Sequence, residues 1–227
     1  VEMLECAVHW AAPSDDPAMR DLLDAAERER YDRFRRPADR ARFVTGRFLA
    51  RTVLAEVTGL AEGDIRFSTH CPHCGASHGK PRLPGHRVDF SLSHSGDRVV
   101  LAVTEGADIG VDVEQESDRD IERLAEMVLA AAEREVLAAL PPERRRSAFH
   151  AYWSRKEAIL KATGHGLAAS MSAIRLSPPD APAEVVAWDG EAAVSPVRLA
   201  DLSAGPGYAA SLAALTGRPL KITEQGP

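Results

Sequence analysis

The chain has 227 residues, 44% of them hydrophobic and 27% charged, with three cysteines and a formal net charge of −6. That is enough for one large domain or two small ones around a sizeable core, in an ordinary globular composition. The acidic balance argues against broad nucleic-acid binding, the cysteines are too few for a disulfide framework, and no apolar run approaches the roughly 18 residues of a membrane span. The start, VEMLECAVHWAAPSDDP, has no basic region followed by an apolar core, so the expected address is the cytoplasm.

In chain order, residues 2–10, EMLECAVHW, predict a strand that PSDDP ends. From Pro17 to about Leu60 the pattern is helical: a segment near 17–33, a break at Pro37, and a second segment from Asp39 to Thr58 with Gly59 as stop. The stretch 28–51 carries Arg28, Arg30, Arg33, Arg35, Arg36, Arg40, Arg42, Arg47 and Arg51 against Glu29, Asp32 and Asp39. It reads as a solvated helix face or as a cradle for a polyphosphate. Then come DIRFS (64–68), a loop with CPHCG, and RVDFSLSHS and RVVLAVT, whose alternation predicts strands. ADIGVDVEQE predicts another strand, 119–140 an amphipathic helix or helix pair, and Arg144 to Thr163 a longer helix. The tail, through AIRLSPP, EVVAWDG, AVSPVRLADL and GYAASLAAL, reads as a meander of short strands. Strands and helices mixed without strict alternation favour an α+β fold. The helix ending Thr163-Gly164 and leading to Ala173-Ile174-Arg175-Leu176-Ser177 echoes the earlier Thr58-Gly59 and Asp64-Ile65-Arg66-Phe67-Ser68. Two similar halves with a ligand at their junction would account for the echo.

Four groups of residues invite chemistry. In Ile109-Gly110-Val111-Asp112-Val113-Glu114, alternation sends Ile109, Val111 and Val113 to the core and Gly110, Asp112 and Glu114 to the other face. Two carboxylates about 6.5 Å apart along a strand can converge on one hard cation, with Gly110 leaving room for a ligand. An edge strand with its acids facing solvent would show the same alternation. On the long helix Trp153, Glu157 and Lys161 fall at i, i+4 and i+8 with Lys156 beside them, a carboxylate flanked by two ammonium groups. That is either a simple surface ion pair or a ligand set beside phosphate-binding lysines. Phe90-Ser91-Leu92-Ser93-His94-Ser95 ends a strand in hydroxyls and an imidazole, suited to an anion or to a structural turn. His70-Cys71-Pro72-His73-Cys74, with His78 beyond, is half of a zinc site, whereas a full site needs four ligands.

Together, Gly79-Lys80-Pro81, Phe90 to Ser95, Gly110 to Glu114 and Trp153-Ser-Arg-Lys-Glu-Ala-Ile-Leu-Lys161 resemble, in order and spacing, the surfactin-type 4′-phosphopantetheinyl transferases. The resemblance runs from about Arg28 to Leu167, and its W-x-x-K-E-A-x-x-K element is the most specific part. It implies two similar α+β halves, expected as 1–107 and 108–227, with the active site at their junction. It also implies transfer of phosphopantetheine from coenzyme A to a serine of an apo acyl- or peptidyl-carrier protein, with Mg²⁺, releasing adenosine 3′,5′-bisphosphate. By position, Asp112, Glu114 and Glu157 match the metal ligands, and Glu157 also matches the base toward the carrier serine. Lys80 with Pro81, Ser93, His94, Lys156 and Lys161, and in addition Arg30 and Arg42, match residues around the coenzyme A phosphates. A monomer is expected, without nucleic acid or membrane. The family commonly has Asn at Ser91, and Glu27 stands where some members are basic. A carrier-docking face is expected near Met127 and Leu129.

Overall fold

A computed structural model of the protein describes residues 2–70, 75, 79–117, 120–164, 170–190, 192–194 and 196–226. Cys71, His73, Cys74 and His78, on which the zinc reading rests, lie outside the described residues.

The first half opens with β1 (Leu4–Ala11) and the helices α1 (Pro17–Asp21), α2 (Ala25–Arg33) and α3 (Pro37–Thr58). It continues with β2 (Val88–Ser95) and β3 (Arg98–Glu105). The second half holds β4 (Ile109–Gln115), α4 (Ile121–Val128), α5 (Ala131–Ala139) and α6 (Pro142–Thr163). The strands β5 (Ile174–Leu176), β6 (Val185–Trp188), β7 (Arg198–Asp201), β8 (Tyr208–Ala214) and β9 (Leu220–Gln225) follow. Two sheets dominate, one ordered β2-β3-β1-β9 and one ordered β4-β8-β7, with β5 and β6 as a separate pair. No helix among the described residues is long and apolar enough to cross a membrane.

The echo in the sequence has a structural counterpart. Both α3 and α6 run for 22 residues, begin with proline in the first turn and end on a left-handed glycine, Gly59 at φ 75° and Gly164 at φ 72°. Each is followed by a short 3₁₀ turn, at Glu62–Asp64 and at Met171–Ala173. Pro37 and Pro142 therefore start helices, because the first turn needs no amide donor from them. DIRFS is not a strand: only Ser68 makes an isolated bridge, to Arg82. The α+β fold is that of two similar halves, each a long helix on an antiparallel sheet.

The division at 107 and 108 is incomplete in one respect, since β9 returns to the first sheet and lies parallel to β1, with Leu4 opposite Leu220 and Cys6 opposite Ile222. Between the sheets sits one apolar layer, in which Leu4, Val8 and Ala102 from the first meet Val111, Val113 and Leu212 from the second.

A second seam joins β2 to β4 through side chains. Carboxylate or hydroxyl oxygens of Asp89, Ser91, Ser93 and Ser95 accept the amides of Ile109, Val111, Val113 and Gln115 at 2.7, 3.0, 3.3 and 3.0 Å. Alternate residues of β2 thus satisfy the outer donors of β4, which buried backbone groups require. The serine at position 91 retains a hydrogen bond to the neighbouring strand where Asn is common.

Candidate active site

Two walls of a cleft of about 570 Å³ meet where β4, α6 and the end of β2 converge. The β4 alternation holds: Ile109, Val111 and Val113 are buried in the inter-sheet core, while Gly110, Asp112 and Glu114 face α6. Gly110 does not make room for a ligand, however. A Cβ there would stand 2.0 Å from the Ala158 carbonyl and 2.4 Å from the Ala162 amide nitrogen, so the missing side chain lets the backbone of α6 lie against β4. That approach brings Glu157 and Lys161 beside Asp112.

Asp112 is 2% exposed. Its Oδ1 accepts from Lys161 Nζ at 2.7 Å and from Ser93 Oγ at 3.0 Å. Lys161 also donates to Ser93 Oγ at 2.9 Å and to the Val111 carbonyl at 3.2 Å. Asp112 Oδ2 is buried with no hydrogen-bond partner. Glu157 is half-buried, and burial first, then the charge of Asp112, hold its carboxyl above the ordinary carboxylate range against the opposing pull of Lys161. An orphaned carboxylate oxygen beside a second, destabilised carboxylate is a deficit that a hard cation fits. Among the described residues no three acidic, imidazole or thiol side chains already stand in a ligating arrangement. A cation such as Mg²⁺ that keeps waters and takes substrate phosphate needs only one or two carboxylates in place.

The lysines divide. Lys161 reaches the cleft, but Lys156 is fully buried and does not meet the expectation of a phosphate contact. Its ammonium binds Glu133 at 2.6 Å and the carbonyls of Val128, Met171 and Ile174 at 3.1, 2.9 and 2.7 Å. Neighbouring helix positions do not share a face, so a residue next to Glu157 points elsewhere. Arg155 is likewise buried, its guanidinium on Asp201 at 2.6 Å and on the Ser177 carbonyl at 3.1 Å. Arg155 and Lys156 thus pin α6 to the elements around it and fix the side of the helix that carries Glu157.

On the opposite wall, Arg30, Lys80, Pro81, Ser93 and His94 line the cleft as expected. Lys80 is committed elsewhere: its Nζ binds Asp89 and the Ile109 carbonyl, so its stem rather than its charge faces the cleft. Arg42 is absent from the lining among the described residues and donates to Asp39 at 2.6 Å and to the Gly96 carbonyl at 3.0 Å. His94 is kept below its ordinary imidazole range by burial, then by the charges of Arg42 and Lys161. Glu27 turns inward, closing the capping box of α2 with Asp24 and binding Arg51 at 2.6 Å. Arg47, Phe43 and Trp153 complete the walls. The arginine-rich stretch contained Arg47, but no spacing distinguished it from its neighbours. On α4 Met127 is 68% exposed, whereas Leu129, expected beside it on the surface, is fully buried because α4 ends there and the chain turns into the core.

Carboxylates with an unmet charge on one wall, cationic and aromatic groups on the other, and an ammonium between them define an enzyme cleft for a polyanionic substrate. Residues 108–213 match the family model described as 4′-phosphopantetheinyl transferase superfamily, and residues 9–106 match 4′-phosphopantetheinyl transferase, N-terminal. The chain is 36% identical over 177 residues to the 4′-phosphopantetheinyl transferase HetI of Nostoc sp., covering 73% of this chain and 72% of that protein. It is 31% identical over 147 residues to the 4′-phosphopantetheinyl transferase Sfp of Bacillus subtilis, covering 64% and 62%. The crystal structure of Thermotoga maritima holo-[acyl-carrier-protein] synthase superposes over 50% of this chain and 66% of its own at a TM-score of 0.42 and 22% identity, too remote to add to the argument. The chain belongs to the 4′-phosphopantetheinyl transferase family, of the Sfp type.

Proposed function

We propose that the enzyme moves the 4′-phosphopantetheine group of coenzyme A to a serine of an apo acyl- or peptidyl-carrier protein, with Mg²⁺, and releases adenosine 3′,5′-bisphosphate. The observation that carries this reading is the orphaned Oδ2 of Asp112 beside Glu157, facing a cleft that also holds Lys161, His94 and Arg30.

The serine oxygen forms a bond to the phosphorus that bears pantetheine, and the bond from that phosphorus to the bridging oxygen of the pyrophosphate breaks. The electron pair leaves with the bisphosphate. The serine proton passes to Glu157, directly or through water, and the raised affinity of that carboxyl for protons suits it to the task. Phosphoryl transfer depends mostly on positioning and charge neutralisation, which Lys161 supplies to the pyrophosphate from its seat on Asp112 and Ser93. Asp112, Glu114 and Glu157 would hold a bound Mg²⁺, which would neutralise charge on the phosphate oxygens.

Incubation with coenzyme A, Mg²⁺ and a set of apo-carrier proteins, followed by intact-mass measurement, tests the proposal. A carrier gaining one phosphopantetheinyl group supports it. Release of phosphopantetheine without any acceptor would mark a phosphohydrolase instead.

A further inference from the structure

Away from the carboxylates the first-half wall carries a layered cation site. The guanidinium carbons of Arg30 and Arg47 lie 5.3 and 5.5 Å from the ring centre of Phe43, and that of Arg47 is also 5.4 Å from the ring centre of Phe67. Arg30, Phe43 and Arg47 face the same cleft as His94. The charge of Arg47 is only partly matched. Its one carboxylate neighbour among the described residues is Glu27, at 3.5 Å, while the other oxygen of Glu27 is taken by Arg51 at 2.6 Å and by the Asp24 amide at 3.0 Å. Among the described residues Arg30 contacts the Phe43 ring and has no carboxylate partner. The Arg47 side chain is 15% exposed, so its guanidinium is held between two rings rather than free in solvent. A desolvated, ring-mounted and undercompensated guanidinium is prepared for a phosphate, which it can meet with two parallel donors.

The identity of that phosphate follows from elimination and rests on the reaction proposed above. The pyrophosphate belongs with Lys161 and the carboxylates, where the bond breaks. The pantetheine arm is neutral and gains nothing from two guanidiniums. The remaining anion of coenzyme A is the monoester on its ribose. We infer that Arg47, acting with Arg30 across Phe43, is a specificity-determining residue for the 3′-phosphate of coenzyme A.

Calorimetric titration of adenosine 3′,5′-bisphosphate and of adenosine 5′-monophosphate into the parent, Arg47→Gln and Arg47→Lys tests this, with thermal melts of each protein. The parent should prefer the bisphosphate, and Arg47→Gln should lower its affinity for that ligand roughly ten- to hundredfold, the worth of a charge-assisted hydrogen bond. Affinity for the monophosphate should change little, and Arg47→Lys, which keeps the charge without the fork, should fall between. A brace role for Arg47 would instead lower stability and weaken both ligands equally, or neither, and would overturn the inference. Arg47→Lys keeps the test decisive if Arg47→Gln does not fold. A parent that binds neither nucleotide would defeat the coenzyme A reading itself, a result distinct from one in which both are bound without preference.

Discussion

Lys161 Nζ and Asp112 Oδ1 stand 2.7 Å apart, and the second oxygen of that same carboxylate is left buried and unpaired. One side chain therefore serves two partners of like charge, an ammonium already present and a cation still to be supplied. Asp112→Asn should remain folded and lose at least about a hundredfold in turnover, as removal of several kcal/mol of charge stabilisation requires. Coenzyme A should bind more tightly with Mg²⁺ than without it in calorimetric titrations of the parent, and Asp112→Asn should reduce that difference. Equal affinities in the parent would remove the metal from the reading.

Lys156 makes a different prediction from Lys161 although both belong to one short motif. Lys156→Met leaves Glu133 charged in a site where it is 1% exposed, and breaking a buried pair in this way costs about 3–5 kcal/mol. Denaturant unfolding should register that loss, with Glu133→Gln comparable and the double variant Lys156→Met/Glu133→Gln recovering part of it. Lys161→Ala, at 31% side-chain exposure, should lose far less stability and mainly weaken coenzyme A use. If Lys156→Met kept parental stability and weakened only coenzyme A binding, Lys156 would be a ligand residue after all.

His94 supplies the pH dependence. Its folded range lies below the ordinary 6.5, so the neutral ring contributes stability that is present above that value and lost as pH falls through the lowered one. A bound phosphate reverses the local balance by favouring the imidazolium, so coenzyme A binding near pH 6.5 should take up protons. Calorimetry in two buffers of different protonation heat measures the uptake, and His94→Asn should abolish most of it.

Gly110→Ala should act as a catalytic variant without touching a catalytic group. The added methyl would displace the backbone of α6 at Ala158 and Ala162, taking Glu157 and Lys161 with it. Turnover and melting temperature should both fall. Gly63→Ala, with nothing within 4 Å of the added carbon, is the matched control.

Met127→Asp addresses the acceptor protein. An exposed apolar side chain on α4, close to Arg123 and Glu126 in sequence, fits a contact that buries apolar surface and is steered by charge. The carrier Michaelis constant should rise while coenzyme A affinity stays at the parental value. An unaltered carrier constant would move docking to another face.

Much of this site was legible because period decides direction. A strand of period two placed Asp112 and Glu114 together, and four-residue spacing placed Glu157 with Lys161. Lys156 was misread because adjacency in sequence was taken for adjacency on the helix, and its acceptors at Glu133, Met171 and Ile174 come from segments that no local pattern connects. Gly110 was read as space for a ligand because a missing side chain does not announce which neighbour fills the gap. The meander of the tail was legible as far as β8, while β9, LKITEQ, lacks the apolar run that marked the others and draws its neighbour from the far end of the chain.

That last pairing bears on synthesis. In the order β2-β3-β1-β9, the strand β1 is made early and finds one neighbour at β3, but its other edge stays open until residues 220–225 have been translated. A nascent chain thus carries an exposed, apolar strand edge through most of its elongation, the kind of edge that pairs with other chains. Trimming β9 would leave every residue of the cleft in place and yet yield a protein prone to self-association, detectable by light scattering before any loss of catalysis.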